Sequence, residues 1–270
     1  MIMEHTIRIN AMEGNAIKKR MQEGRPVFGS WLAIPHAMTV EIMAGAGYDW
    51  LIVDFEHAPL DIQNGLAMIQ AMRYSPASPV ARVPLIDMAW VKRVLDIGFM
   101  SVMVPLIRTR EDTEYAVSLA KYPPEGIRGA AASHRASGYG AYTKDYLARA
   151  NKEIMVIIQI ENTESVANVK DIVSVPGVDC LFIGPMDLSV DLGVAGDFQH
   201  PRVLEAFRKV EEAAKEAGIP LGTLVGTPED ARKKVDEGYL FLGISSDVRH
   251  LAAGARGHGE KIARIRESRS

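Results

Sequence analysis

The sequence predicts an α/β protein built as one closed (β/α)8 barrel, a TIM barrel, and three observations carry that reading. Short apolar, β-rich runs alternate with helical patterns almost from end to end; the runs number eight; and a glycine stands at most returns from helix to strand. An open doubly wound sheet is the competing architecture. It announces nucleotide binding with a glycine-rich turn after its first strand, and here Ile34-Pro35-His36-Ala37 follows that strand instead.

The expected strands are Val27 to Ile34, Trp50 to Phe55, Val80 to Val83, Ser101 to Leu106, Ile154 to Ile160, Asp179 to Ile183, Leu221 to Val225 and Leu240 to Ile244. Each is nearly continuous in apolar residues, as a parallel strand buried on both faces requires. Helical patterns lie between them at Thr39 to Ala46, Leu60 to Arg73, Met88 to Ile97, Glu111 to Lys121, Thr163 to Val173, Pro201 to Ala217 and Pro228 to Glu237. Thr227-Pro228 supplies a capping hydroxyl and a first-turn proline, and Gly238 stops the same helix. The phrases Ala46-Gly47-Tyr48-Asp49, Pro176-Gly177-Val178-Asp179 and Ala217-Gly218-Ile219-Pro220 each read as helix end, glycine cap and strand start. The segment Tyr122 to Lys152 is too long for a minimal loop and reads as an ordered excursion. A single domain is expected over residues 1–270, with the barrel at about 27–247 and a helical tail at 247–270. That tail is expected to be interrupted at Gly254 and Gly257-His258-Gly259 and to pack on a neighbour rather than on its own barrel.

Composition excludes several classes. A net charge of -3 with 24% charged residues gives no electrostatic reason to bind nucleic acid or anionic lipid, so a small-molecule partner is expected. The single cysteine, Cys180, sits inside an apolar run and reads as a small buried hydrophobe. Met1 to Asn10 lacks the apolar core of a signal peptide, and no apolar run approaches the roughly 20 residues that span a bilayer, so the cytoplasm is the default location.

Catalytic groups of such barrels come from the C-terminal ends of several strands. Those ends carry Asp54, Glu56 and His57 after the second run, Arg82 in the third, Gln159 and Glu161 at the fifth and Asp187 beyond the sixth. Two carboxylates beside a glutamine make an oxygen-rich site suited to Mg2+, Mn2+ or Co2+, with Glu161 and Asp187 as ligands. Each could instead cap the helix that follows. A buried guanidinium needs an anionic partner. Arg82 therefore either stabilises an enolate oxygen beside the metal or forms a structural ion pair, with Asp54 as the candidate acid. His57 is the candidate base, its ring oriented by Asp54. Glu56 is the weaker candidate, expected to be turned by strand alternation away from Asp54. A Schiff-base mechanism needs a desolvated lysine at the site, and no lysine ends an apolar strand.

The segments Gly29-Ser30-Trp31, Asp54-Phe55-Glu56-His57-Ala58-Pro59, Tyr122 to Gly129, Gln159-Ile160-Glu161 and Gly184-Pro185-Met186-Asp187-Leu188-Ser189 resemble the HpcH/HpaI aldolases, metal-dependent class II pyruvate aldolases. The resemblance runs from about Phe28 to Asp247. It implies reversible cleavage of 4-hydroxy-2-keto acids to pyruvate and an aldehyde through a metal-stabilised pyruvate enolate. It further implies metal held by Glu161 and Asp187, with Gln159 beside it and Gly184, Pro185 and Met186 lining the pocket. Arg82 would steady the enolate, and the Asp54–His57 pair would move the aldol proton. A hexamer with the last helix exchanged between subunits is also implied. Phe55 and Met186 are bulkier than the residues many members carry there, so a tighter pocket or a preference for a different acceptor is expected. Alternative outcomes of the same site are oxaloacetate decarboxylation, a macrophomate synthase-like reaction, or a citramalyl-CoA-type lyase.

Overall fold

The computed structural model describes residues 14–268, so the N-terminal decapeptide judged above lies outside the described residues. Eight parallel strands close into a barrel in chain order, each paired with the next and β1 with β8. They are β1 (Val27–Leu32), β2 (Trp50–Asp54), β3 (Ser78–Arg82), β4 (Ser101–Val104), β5 (Met155–Ile160), β6 (Cys180–Ile183), β7 (Leu221–Val225) and β8 (Phe241–Ser246).

Twelve α-helices are assigned among the described residues. A short α1 (Ala16–Gln22) precedes the barrel, and α2 (Ala37–Ala44), α3 (Ile62–Ala71), α4 (Met88–Asp96) and α5 (Arg110–Ala120) follow β1 to β4. The long excursion after α5 holds a 3-10 turn at Arg135–Ser137 and α6 (Thr143–Glu153). Then come α7 (Thr163–Ala167), α8 (Val169–Val173), α9 (Pro185–Asp191), α10 (Pro201–Ala217), α11 (Pro228–Asp236) and α12 (Asp247–Glu267). The single helix expected at 163–173 is thus split at Asn168.

Strand alternation sorts the core into two bodies. Leu51, Val53, Ala81, Val102, Val156, Ile158, Leu181 and Leu242 face the helices. Trp31, Trp50, Ile52, Val80, Met103, Ile157, Cys180, Phe182 and Phe241 fill the barrel interior. That interior is unusually aromatic: Trp50 stacks on Phe241 at 4.1 Å between ring centroids, and Trp31 meets Trp50 edge-on at 5.7 Å. The rings fit because glycines face them. A Cβ on Gly29 would overlap the Trp50 indole, and one on Gly243 would overlap that of Trp31.

The tail differs from expectation. α12 runs unbroken through Gly254, Gly257 and Gly259, capped at its start by the Ser246 hydroxyl. Glycine in a helix interior costs about 1 kcal/mol relative to alanine but removes no hydrogen bond, unlike proline, so three glycines weaken a long helix without ending it. Leu251, Ile262 and Ile265 on α12 are exposed. No helix among the described residues is long and apolar enough to cross a membrane.

Candidate active site

The inward parity of each strand, carried to its C-terminal end, delivers the polar groups. Asp54 continues Trp50 and Ile52, Arg82 continues Val80, and Gln159 and Glu161 continue Met155 and Ile157. These four side chains are buried at the mouth of the barrel.

Asp54 and Arg82 are paired in register on adjacent strands and form a two-pronged ion pair. Nε donates to Asp54 Oδ1 at 2.9 Å and a terminal nitrogen to Oδ2 at 2.7 Å. The guanidinium also lies 5.9 Å from the Trp31 ring centre. Such a fork fixes the plane of the cation as well as its position. The structural ion pair weighed for Arg82 therefore exists, and it leaves the other terminal nitrogen pointing elsewhere. That nitrogen lies 3.2 Å from Glu56 Oε2.

Beyond Asp54 the chain turns, and Asp54 Oδ1 accepts the backbone N–H groups of Glu56 and His57 at 3.1 and 3.2 Å. Asp54 therefore meets His57 at the backbone, with both carboxylate oxygens already engaged by Arg82. The carboxylate within 4 Å of the imidazole is that of Glu56, whose Oε2 lies 3.9 Å from Nε2. Glu56 is not turned away: residues two apart on a strand share a face, and the turn preserves that sense. Burial pushes its carboxyl up to about 7; Arg82 opposes this, while Glu161, Asp54 and Asp187 add to it. Phe55 takes the opposite direction. It packs on Gly65, Trp90 and Phe99 under α3 and α4 and does not line the pocket, which corrects the expectation that its bulk narrows the site.

Across the mouth, Gln159 Nε2 donates to Glu161 Oε2, and the other Glu161 oxygen accepts the Leu106 N–H at 2.7 Å. Leu106 has φ 61°, a left-handed conformation that costs a leucine about 1–2 kcal/mol and here aims its amide at the carboxylate. Desolvation raises the Glu161 carboxyl above its ordinary range, with Asp187 adding to the rise. Glu161 is not the cap of α7, a task performed by the Asn162 side chain. Asp187 sits half-buried in the first turn of α9, where a carboxylate also favours the helix dipole. Gly184 separates the two acids. A Cβ there would lie 3.0 Å from Glu161 Cβ and 3.3 Å from its Oε2. Pro185 opens α9, and Met186 follows it with its side chain exposed.

This donor set fits a hard divalent cation. Gln159 Oε1 is buried and accepts no hydrogen bond, leaving an orphaned oxygen beside Glu161, whose charged form burial and the nearby Asp187 disfavour. Among the described residues there is no cluster of three or more histidine, cysteine or acidic side chains placed to hold an ion. An ion here would thus be held by two carboxylates and the amide, with positions left for substrate and water. The Leu106 amide is encoded by no side-chain pattern, whereas Glu56, the weaker candidate in the sequence, lies on the same face as Asp54 because residues two apart on a strand share a face.

The mouth of this (β/α)8 barrel thus brings together strand-end acids, a guanidinium fixed by one of them and a histidine. The family model for HpcH/HpaI aldolase/citrate lyase matches residues 27–253. The 5-keto-4-deoxy-D-glucarate aldolase of Shigella boydii serotype 18 is 39% identical over 234 residues, 87% of this chain and 91% of that protein. A solved HpcH/HpaI aldolase/citrate lyase family protein from Burkholderia cenocepacia J2315 is 38% identical with a TM-score of 0.88, covering 92% of this chain and 99% of the other. An HpcH/HpaI aldolase from Desulfitobacterium hafniense DCB-2 is 33% identical with a TM-score of 0.86, covering 92% and 96%. The chain belongs to the HpcH/HpaI aldolase/citrate lyase family, and it is an aldolase.

Proposed function

We propose that the protein is a divalent-metal-dependent pyruvate aldolase that cleaves a 4-hydroxy-2-keto acid to pyruvate and an aldehyde. The supporting observation is the pair Glu161 and Asp187 with the orphaned Gln159 oxygen, set opposite the clamped Arg82. Glu161, Asp187 and Gln159 would hold Mg2+, Mn2+ or Co2+, which supplies Lewis acidity toward the carboxylate and keto oxygens of the substrate. Arg82, its plane fixed by Asp54, offers a preorganised donor to the oxygen that gains charge as the carbon–carbon bond breaks. His57 accepts the proton of the substrate's 4-hydroxyl. Gly184 keeps space beside Glu161, and Pro185 and Met186 border the approach. A polyhydroxylated diacid such as 5-keto-4-deoxy-D-glucarate, the substrate in the name of the Shigella relative, is the first compound to assay.

The CoA-ester reading is disfavoured by charge. A CoA ester needs several cations for its phosphates, and of the four site-side arginines two are fixed inside the protein while the other two sit in exposed ion pairs. Arg108 pairs with Glu164, Arg110 with Glu114, buried Arg128 with Asp96, and Arg135 donates to the Ile97 carbonyl. By family likeness, the assembly is a hexamer that exchanges its last helix, and the exposed apolar residues of α12 give that exchange a physical reason. The deciding assay is pyruvate release from a panel of 4-hydroxy-2-keto acids by the metal-loaded enzyme, set against turnover of citramalyl-CoA.

A further inference from the structure

Glu56 stands between the two groups assigned to the reaction. Its side chain is 10% exposed, whereas that of His57 is 60% exposed. Its Oε2 atom lies 3.2 Å from an Arg82 nitrogen and 3.9 Å from His57 Nε2, yet it is buried and completes no hydrogen bond. An unsatisfied buried carboxylate oxygen is costly unless a donor reaches it. A small rotation of the exposed imidazole would close 3.9 Å to a hydrogen bond. Asp54 meets His57 through the backbone N–H instead, and the carboxylate within 4 Å of the ring is that of Glu56.

We propose that Glu56, rather than Asp54, is the positioning carboxylate of His57, and that by sharing one oxygen between Arg82 and the imidazole it couples the cation of the enolate to the base. This rests on the aldolase reading above. In the cleavage direction the hydroxyl proton passes to the imidazole, the electron pair of the breaking carbon–carbon bond passes into the enolate, and the aldehyde leaves. Glu56 changes no bond. In its ionised form it presents negative charge to the imidazolium that forms and holds the tautomer whose other nitrogen faces the hydroxyl.

The charged groups around Glu56 are Arg82 from β3, Asp54 from β2, Glu161 from the end of β5 and Asp187 from α9; within 4 Å of the imidazole stands the Glu56 carboxylate. Removing a neighbouring carboxylate lowers a histidine pKa. In the Mg2+-loaded enzyme, the pH dependence of His57 carbethoxylation by diethyl pyrocarbonate, read by mass spectrometry of its peptide, reports that pKa without turnover. Glu56→Gln should lower the midpoint by roughly half to one pH unit, with the acid limb of aldol cleavage moving alongside it. Glu56→Asp, which keeps the charge at a shorter reach, should fall between the two. Metal content and folding of each variant are checked against the wild type. An unchanged midpoint in Glu56→Gln overturns the proposal, as does a shift in Asp54→Asn that Glu56→Gln lacks. Should the wild type release no pyruvate from any 4-hydroxy-2-keto acid, the aldolase reading of the substrate fails, while the carbethoxylation midpoints still decide the pairing.

Discussion

Arg82 shows how one residue's role depends on the neighbour that fixes it. Its two-pronged pairing with Asp54 sets the guanidinium plane, and lysine in its place would keep the charge but lose that plane. Arg82→Lys should reduce turnover by about 10²–10³, the usual loss of one preorganised oxyanion donor. Exchange of pyruvate methyl protons with solvent, followed by NMR, should fall with it; near-normal exchange would remove Arg82 from the enolate. His57 separates the two halves of the chemistry. His57→Ala should cripple retro-aldol cleavage and largely spare oxaloacetate decarboxylation, which loses CO2 and has no hydroxyl to deprotonate. Equal loss of both activities, with metal content intact, would reassign the histidine. At this scale Asp54, Arg82, Gln159 and Glu161 were legible because each ends an apolar run on its inward parity. The contacts that organise them were not, because the Asp54 turn is closed by backbone N–H groups and Glu161 is held by the Leu106 amide, and neither leaves a side-chain signature.

At the scale of elements, the eight strands were legible because parallel strands buried on both faces are apolar at nearly every position. The sequence did not reveal why three of them carry glycine. Gly29, Gly222 and Gly243 face Trp50, Phe182, Phe241 and Trp31, so small and large residues alternate around the interior. Gly29→Ala places a methyl group inside the Trp50 ring and cannot be absorbed without moving the Trp50–Phe241 stack. It should destabilise the protein by about 1–3 kcal/mol, the usual cost of overpacking a filled core, measured as a fall in the urea midpoint. A midpoint equal to that of the wild type would mean that the interior has slack. The tail was misjudged for a related reason: glycine weakens a helix, but three of them do not end one that starts with a serine cap.

At the scale of the whole molecule, α12 leaves Leu251, Ile262 and Ile265 exposed, and the proposed exchange of this helix between subunits would cover them. Replacing these three residues with serine should reduce the assembly proposed here to smaller species in sedimentation velocity, with little change in far-ultraviolet circular dichroism. Retention of the wild-type sedimentation coefficient would place the subunit contacts elsewhere. The measurement that tests the central claim most directly is pyruvate release from a 4-hydroxy-2-keto acid by enzyme stripped with EDTA and then titrated with Mg2+, Mn2+ or Co2+. Activity should vanish on stripping and return with the cation, and Glu161→Ala and Asp187→Ala should lose bound metal and fail to recover. Full turnover by the stripped enzyme would contradict the account.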